Sequence, residues 1–270
     1  MSGRLGLNLI TLKGQPGDGS LEERLQAAAE AGFEGVGLWM KDLDWWEKEK
    51  GDLGKLRKRI EKLNMIVAEI CAVTVCDENG EVASRQAEFE RAAAVGAESV
   101  ICLYNNREAP KKKAREQWTA FLEPLTEFDV RAAFEFIGGA EAYNTLDDAL
   151  DVVLNGPPVG GIVVDTFHFW RGHSNINTLT HVTPNQLVLV HLNDVKRVER
   201  EQATDKDRTY PGEGIMPLTH ILASIAATGF DGFYDVEIFG DCQAEDPVNV
   251  ARRCADSAQK ALSKASSRRR

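Results

Sequence analysis

Four side chains that can hold a metal ion each close a short apolar run. Glu135 follows Ala132-Ala133-Phe134, and Asp165 follows Ile162-Val163-Val164. His191 follows Leu187-Val188-Leu189-Val190, and Glu237 ends Phe233-Tyr234-Asp235-Val236. Two Glu, one Asp and one His form an oxygen-rich set with a single imidazole. Such a set suits a divalent cation such as Mn²⁺, Mg²⁺, Co²⁺ or Zn²⁺. Each run reads as a buried parallel strand: short, apolar and mostly β-branched or aromatic. Each therefore delivers a polar group at a strand's C-terminal end, where a parallel α/β barrel builds its active site. A lone Glu at a strand end carries little weight, but Glu, Asp, His, Glu on four successive strands is far harder to obtain by chance. The plainer account makes them satisfied rim groups bridged by Arg or Lys. It needs compensating cations, and the strands supply none nearby.

The elements that must position these groups follow a βα rhythm. Leu5–Leu12 reads as the first strand, with Asn8 able to face the site. Ser20 with Glu23 fits a capping box for a helix that stops at Gly32. Strands are expected at Gly35–Trp39, Ile66–Val75 and Ser99–Leu103, then in the four runs above. Helical spacing fills Leu53–Leu63, Ala83–Val95, Lys111–Leu125, Thr145–Leu154, Pro217–Thr228 and Asp246–Leu262. Lys41–Lys50 is a charged insertion carrying Trp45 and Trp46. It is either a lid over the barrel mouth or a surface helix whose Trp pair packs on the rim, with the second favoured. Arg171–His181 is only weakly helical. Lys196–Gly214 is a long charged loop, Lys111-Lys112-Lys113 a solvated helix face, and Asn155-Gly156-Pro157-Pro158 a break. Eight strands alternating with helices predict a single (β/α)₈ TIM barrel over 1–262, with 263–270 a polar basic, disordered tail.

Bulk properties agree. The 270 residues are near the size of one such barrel, and no linker interrupts them. A net charge of −10 argues against nucleic acid and against an anionic membrane as partners. No apolar stretch approaches a membrane span, and Met1-Ser2-Gly3-Arg4 lacks a signal-peptide core. Five cysteines (71, 76, 102, 242 and 254) without a CxxC read as reduced thiols in the cytoplasm.

Neighbouring residues extend the site. His168, in Asp165-Thr166-Phe167-His168, is open to three roles: a substrate-oxygen donor, an extra metal ligand or a cap. Asp194, in His191-Leu192-Asn193-Asp194, can orient the imidazole. His173, His181 and His220 have no strand-end placement and read as structural or exposed.

These residues carry a family likeness. The stretches Phe134-Glu135-Phe136-Ile137-Gly138, Val164-Asp165-Thr166-Phe167-His168-Phe169, His191-Leu192-Asn193-Asp194, Thr204 to Gly214 and Val236-Glu237-Ile238-Phe239 resemble the xylose-isomerase-like TIM-barrel superfamily of sugar isomerases and epimerases. Within it the likeness is strongest to the inosose (2-keto-myo-inositol) isomerases. The motifs are specific for the superfamily and suggestive for the substrate. The resemblance implies Glu135, Asp165, His191 and Glu237 as the ligands of one divalent ion, with Glu135 and Glu237 also moving protons. It implies His168 on a substrate oxygen and Arg208 or Arg197 as a positive hydrogen-bonding group. Ketose 3-epimerases carry an Arg at the spacing of Arg197 and a loop Glu at that of Glu141, which inosose isomerases lack, so these two positions pull towards the epimerases.

Two other branches fit less well. Endonuclease IV needs a three-metal cluster with His on early strands and an Asp-Arg-His motif, where this chain has Asp207-Arg208-Thr209. Dehydroshikimate dehydratases carry a His two residues after the first Glu, where this chain has Ile137. The expectation is a metal-dependent isomerase or epimerase of a keto-sugar or keto-cyclitol, working through an enediolate. Alternatives are a ketose 3-epimerase, an inosose or 3-dehydroshikimate dehydratase, and a non-catalytic sugar-binding barrel. Dimers or tetramers are common in the superfamily, so by analogy a homo-oligomer is possible here and the oligomeric state stays open.

Overall fold

A computed structural model describes residues 3–154 and 156–267. Eight parallel strands close into a barrel: β1 (Arg4–Asn8), β2 (Gly35–Trp39), β3 (Ile66–Thr74), β4 (Ser99–Leu103), β5 (Arg131–Glu135), β6 (Gly160–Asp165), β7 (Leu187–Leu192) and β10 (Phe233–Val236). Two-residue strands β8 (Asp194–Val195) and β9 (Arg208–Thr209) pair antiparallel outside it. The (β/α)₈ expectation is therefore the observed fold.

The helices α1 (Leu21–Glu30), α2 (Met40–Glu49), α3 (Leu53–Glu61), α4 (Gln86–Val95), α5 (Lys111–Leu122), α6 (Leu146–Val153), α7 (Thr166–Arg171), α8 (Leu218–Ala227) and α9 (Pro247–Ser267) run between and after the strands. Strand residues of one parity, such as Ala132, Phe134, Ile162, Val164 and Val190, belong to the large core shared with the helices. The other parity forms a small separate cluster of Ala68, Cys71, Ile101, Ala133, Val163, Leu189 and Phe233. This two-sided burial explains why the strands read as continuous apolar runs.

The interior also accommodates two carboxyl groups. Gly6 is the register partner of Asp235, and Gly37 that of Glu69. A Cβ at Gly6 would stand 2.9 Å from Asp235 Cγ, and one at Gly37 would stand 2.6 Å from Glu69 Oε1. Gly37→Ala is expected to destabilise the protein by about 1–3 kcal/mol through overpacking. Urea unfolding of the metal-free protein measures this, and an unchanged midpoint would mean that Glu69 has room to withdraw.

Several local expectations change. The Ser20 hydroxyl does not cap α1; it donates to Asp18 Oδ1 at 2.5 Å and accepts from Arg24 Nε at 3.0 Å. Arg24 runs inward to a buried ion pair with Asp42 at 2.7 Å, and that pairing takes the hydroxyl away from the helix end. In α2, Leu43 and Trp46 are buried and Trp46 Nε1 donates to the Asp52 carbonyl, so the Trp pair packs against the barrel. The stretch 263–270 is not all tail: α9 continues to Ser267 because Ala261, Leu262 and Ala265 keep its apolar face buried. Residues 268–270 lie outside the described residues, as do Met1, Ser2 and Asn155. Among the described residues no helix is long and apolar enough to cross a membrane. All five cysteines are buried and free of disulfides.

Candidate metal centre

Glu135 is the last residue of β5 and Asp165 the last of β6. His191 stands one residue before the end of β7, and Glu237 directly follows β10. Asp165 and His191 are register partners, as are Asp235 and His191, so neighbouring strands bring these groups together by backbone pairing alone.

The imidazole is the hub. His191 Nδ1 lies 3.3 Å from Glu135 Oε1, 3.5 Å from Glu237 Oε2 and 3.7 Å from Asp165 Oδ2. Ligands around one zinc ion at about 2.0–2.1 Å stand roughly 3.3 Å apart, so the spacing from Nδ1 to each carboxylate is close to what one shared cation would set. The ligand atoms of Glu135, Asp165 and His191 all lie within 4.8 Å of one another.

Three of the four candidate ligands are anchored by further partners. Asp165 also caps α7: its Oδ1 accepts from the backbone N–H of Phe167 at 2.7 Å and of His168 at 3.1 Å. Asn193 Nδ2 adds a third donor to that oxygen at 3.3 Å. Glu237 Oε1 accepts from Asn8 Nδ2 at 3.2 Å. The other nitrogen of His191, Nε2, lies 2.7 Å from Glu69 Oε2.

Arg208 supplies the positive charge. Its Nη1 donates to Asp165 Oδ2 at 2.7 Å and to Glu237 Oε2 at 2.9 Å. Its Nη2 donates to Asp205 at 2.7 Å and faces His168 Nε2 at 3.3 Å. The guanidinium lies between the rings of Phe167 and Phe239, 4.9 and 5.2 Å from their centroids. The strands themselves carry no cation here, but the β7–α8 loop folds one in. The plainer account of bridged rim carboxylates thus gains its missing partner. Arg208 alone does not account for the cluster, because Glu69, Glu135, Asp165, Asp235 and Glu237 outnumber it.

Burial and charge shift the protons accordingly. Burial raises the Asp165 carboxyl, but Arg208, His168, His191 and the α7 N–H groups outweigh it and hold it down at about 2. Burial pushes Glu237 up to about 8, with His191 and Arg208 pulling only part of the way back. Burial lowers His191, yet Glu69, Glu237 and Glu135 together raise it well above its usual 6.5. Burial, then Asp165 and Arg208 with opposite signs, leave His168 lowered. Burial, and then the Glu69 charge, raise Asp235 well above the carboxylate range.

A pH dependence follows from two of these groups. Glu237 and His191 both hold their protons more tightly folded than unfolded, so their stabilisation is full at low pH and is lost as pH rises. Glu237 loses its part between its ordinary 4.5 and about 8, and His191 loses its part above 6.5. Asp165 works in the opposite sense below 3.8, outside this window; His168, lowered from 6.5, opposes the loss only near the window's lower edge, and Asp235, raised like Glu237, adds to it. Metal-free protein is therefore expected to unfold at lower urea at pH 8 than at pH 6.5. The gain from an added divalent ion should be larger at pH 8, where fewer protons must be displaced. A chelated midpoint that stays level or rises would show that the centre does not hold these protons.

The remaining residues divide clearly. His168 is buried beside Asp165 and Arg208, and among the described residues its Nδ1 has no hydrogen-bond partner. Arg197 and Glu141 are exposed and, among the described residues, hydrogen-bond to none of the centre's groups. The loop after β8 is pinned by Lys196, whose N–H bonds the Asp207 carbonyl and whose Nζ pairs with Asp241. Asp194 does not orient His191; its carboxylate accepts from the N–H groups of Val195, Gly212 and Met216 and so ties down the following loop. Two interior residues escaped the sequence reading: Glu69 in Val67-Ala68-Glu69-Ile70-Cys71, and the role of Asp235. A single charge inside an apolar strand was the available signal in both.

Fold and site define a barrel that gathers carboxylates and one imidazole at its strand ends, groups able to hold a metal ion. The chain belongs to the xylose isomerase-like TIM barrel family, whose model matches residues 25–260. An inosose isomerase of Bacillus velezensis is 29% identical over 157 residues, covering 56% of each chain. This chain spans about half the length of the curated inosose isomerases it matches. A 3-dehydroshikimate dehydratase of Pseudomonas putida is 24% identical over 238 residues, 83% of this chain and 36% of that one. The solved structure of the IolI protein with a bound zinc atom superposes with a TM-score of 0.85 at 20% identity, covering 97% of this chain and 98% of that one. That likeness speaks to the fold.

Proposed function

We propose that the chain is a divalent-metal-dependent isomerase or epimerase of a keto-sugar or keto-cyclitol, with inosose the first substrate to test. The observation that carries this reading is the cluster of three carboxylates within 3.7 Å of His191 Nδ1 at the strand ends. Glu135, Asp165, His191 and Glu237 would hold the ion. The named inosose isomerases and the zinc of the IolI structure support that assignment by kinship. Five buried free thiols support a reducing, cytoplasmic setting.

The bound ion would supply polarisation of a substrate carbonyl and its neighbouring hydroxyl. The chain's own groups do the rest. Glu135 is the ligand most open to the mouth, at 9% exposure, and is placed to take the proton from the carbon beside the carbonyl. Glu237 lies deeper, at 4% exposure, and is the second carboxyl that can return one. Arg208 places fixed positive charge where the enediolate's negative charge develops. The Nδ1 of buried His168, without a hydrogen-bond partner among the described residues, is available to a substrate oxygen. Trp39 and Phe239, edge to face at 6.4 Å, offer an apolar wall for a ring. Arg197 and Glu141 can join only if their loops move inward when substrate binds.

A dehydratase is the second reading, favoured by a match that runs over 83% of this chain. One experiment separates the two. Solvent-deuterium incorporation is followed by NMR on 2-keto-myo-inositol, fructose, psicose, tagatose and dehydroshikimate, with Mn²⁺ or Mg²⁺ and with a chelator. Metal-dependent exchange beside one carbonyl is expected, and exchange confined to a ketose would favour the 3-epimerase. Water loss in place of exchange would identify the dehydratase. No turnover of any of the five would favour the binding barrel.

A further inference from the structure

We propose that Glu69 is a positioning residue of the metal centre: it accepts the His191 Nε2–H and thereby aims Nδ1 at the other three ligands. The proposal rests on the metal-centre reading above.

The geometry is closed on every side. Glu69 is fully buried inside the barrel, with its Oε2 2.7 Å from His191 Nε2. Its Oε1 accepts from Asn8 Nδ2 at 2.7 Å. The amide of Asn8 cannot be turned round. Its Oδ1 accepts from Trp39 Nε1 at 3.0 Å and from the Ile10 N–H at 3.1 Å, and both of those groups only donate. Asn8 therefore presents N–H to Glu69 and to Glu237. The second oxygen of Glu69 is left for the imidazole. A carboxylate there requires Nε2 to carry a hydrogen, so the nitrogen that gives up its proton to a bound ion is Nδ1, which faces Glu135, Asp165 and Glu237. A carboxylate on the far nitrogen also makes the imidazole a stronger metal donor. Gly37, whose missing side chain gives Glu69 its space, belongs to the same device.

The same residues suggest a competing account. Glu69, Cys71 and His191 stand within 4.8 Å of one another, and the Asp235 carboxyl, its proton held by burial and by the neighbouring Glu69, packs against Glu69. A second cation among them would have to displace the hydrogen from Nε2. The positioning role therefore expects one ion per chain.

The test compares zinc binding by wild type, Glu69→Gln and Glu69→Leu in competition with a chelator of known affinity. Imidazole ¹⁵N–¹H correlation spectra and thermal unfolding accompany it. Wild type is expected to bind one zinc per chain, with His191 protonated on Nε2 and metallated on Nδ1. Glu69→Leu should weaken zinc binding by about 10–100-fold, and Glu69→Gln by less, because its carbonyl still accepts the N–H. Metal-free Glu69→Leu should melt lower than wild type, since the His191 Nε2–H and an Asn8 N–H lose their acceptor, whereas Glu69→Gln keeps an acceptor and should melt close to wild type. Zinc affinities are therefore compared at a temperature well below both melting points, where each variant is folded. Zinc binding by folded Glu69→Leu within twofold of wild type would overturn the positioning role alone, as would a second ion per chain or metal on Nε2. A wild type that binds no zinc would overturn the metal centre and this role together.

Discussion

Glu135→Gln and Glu237→Gln are each expected to lower metal-dependent solvent exchange by about 10²–10⁴-fold, the usual loss of a general acid or base. The amide keeps the size of the side chain and one oxygen donor but can neither take nor give the proton. The two variants should differ in their other properties. Glu135 is the more open group, and its partner is His191 at 3.3 Å, so its amide should disturb little beyond the chemistry and the metal affinity. Glu237 already holds a proton up to about pH 8 when metal-free, so its neutral amide should cost little stability near neutrality. Arg208 retains Asp165 in that variant. NMR exchange rates, together with the zinc content of each variant, make the measurement. Retention of exchange within about tenfold in a metal-loaded glutamine variant would remove that glutamate from the proton path.

Arg208→Met gives the second large effect, and its sign depends on metal. The guanidinium bridges Asp165 and Glu237, both buried, at 2.7 and 2.9 Å. Removing it leaves the Asp165 charge without its nearest cation, and losing one partner of a buried ion pair costs about 3–5 kcal/mol. Methionine can still fill the space between Phe167 and Phe239, so the loss should come from charge more than from packing. A divalent ion brings positive charge to the same oxygens. Zinc should therefore restore much of the variant's stability and bind it more tightly than it binds wild type, because the coupling between ion and side chain is reciprocal. Turnover should nevertheless fall, since the fixed charge facing the enediolate is gone. Urea unfolding with chelator and with zinc, beside zinc titrations, tests the argument. An equal cost with and without metal would make Arg208 a structural residue with no share in the centre's charge.

These expectations depend on different levels of the molecule. The barrel was legible because its strands are buried on both faces: runs such as Ile162-Val163-Val164 have no solvent side, and their unbroken apolar character marks them as parallel strands. The four strand-end groups were legible because a parallel barrel turns chain order into angular order, so residues ending successive strands become neighbours. Residues whose partners come from distant loops or from inside the strands could not be placed that way. Arg208 lies in a charged loop with many equivalent charges, and only the loop's path through β8 and β9 brings it under Phe239. Asp194 has the spacing of a histidine partner, but the backbone N–H groups of Gly212 and Met216 claim its carboxylate first. Glu69 sits mid-strand, where a charge has no local reason to be. Its reason is His191, 122 positions along the chain and 2.7 Å away in space. The sequence by itself determined which groups reach the strand ends, because backbone pairing enforces it. Only the tertiary structure decided which of them are compensated and which nitrogen of His191 faces Glu135, Asp165 and Glu237, because side chains brought together from distant segments settle those contacts.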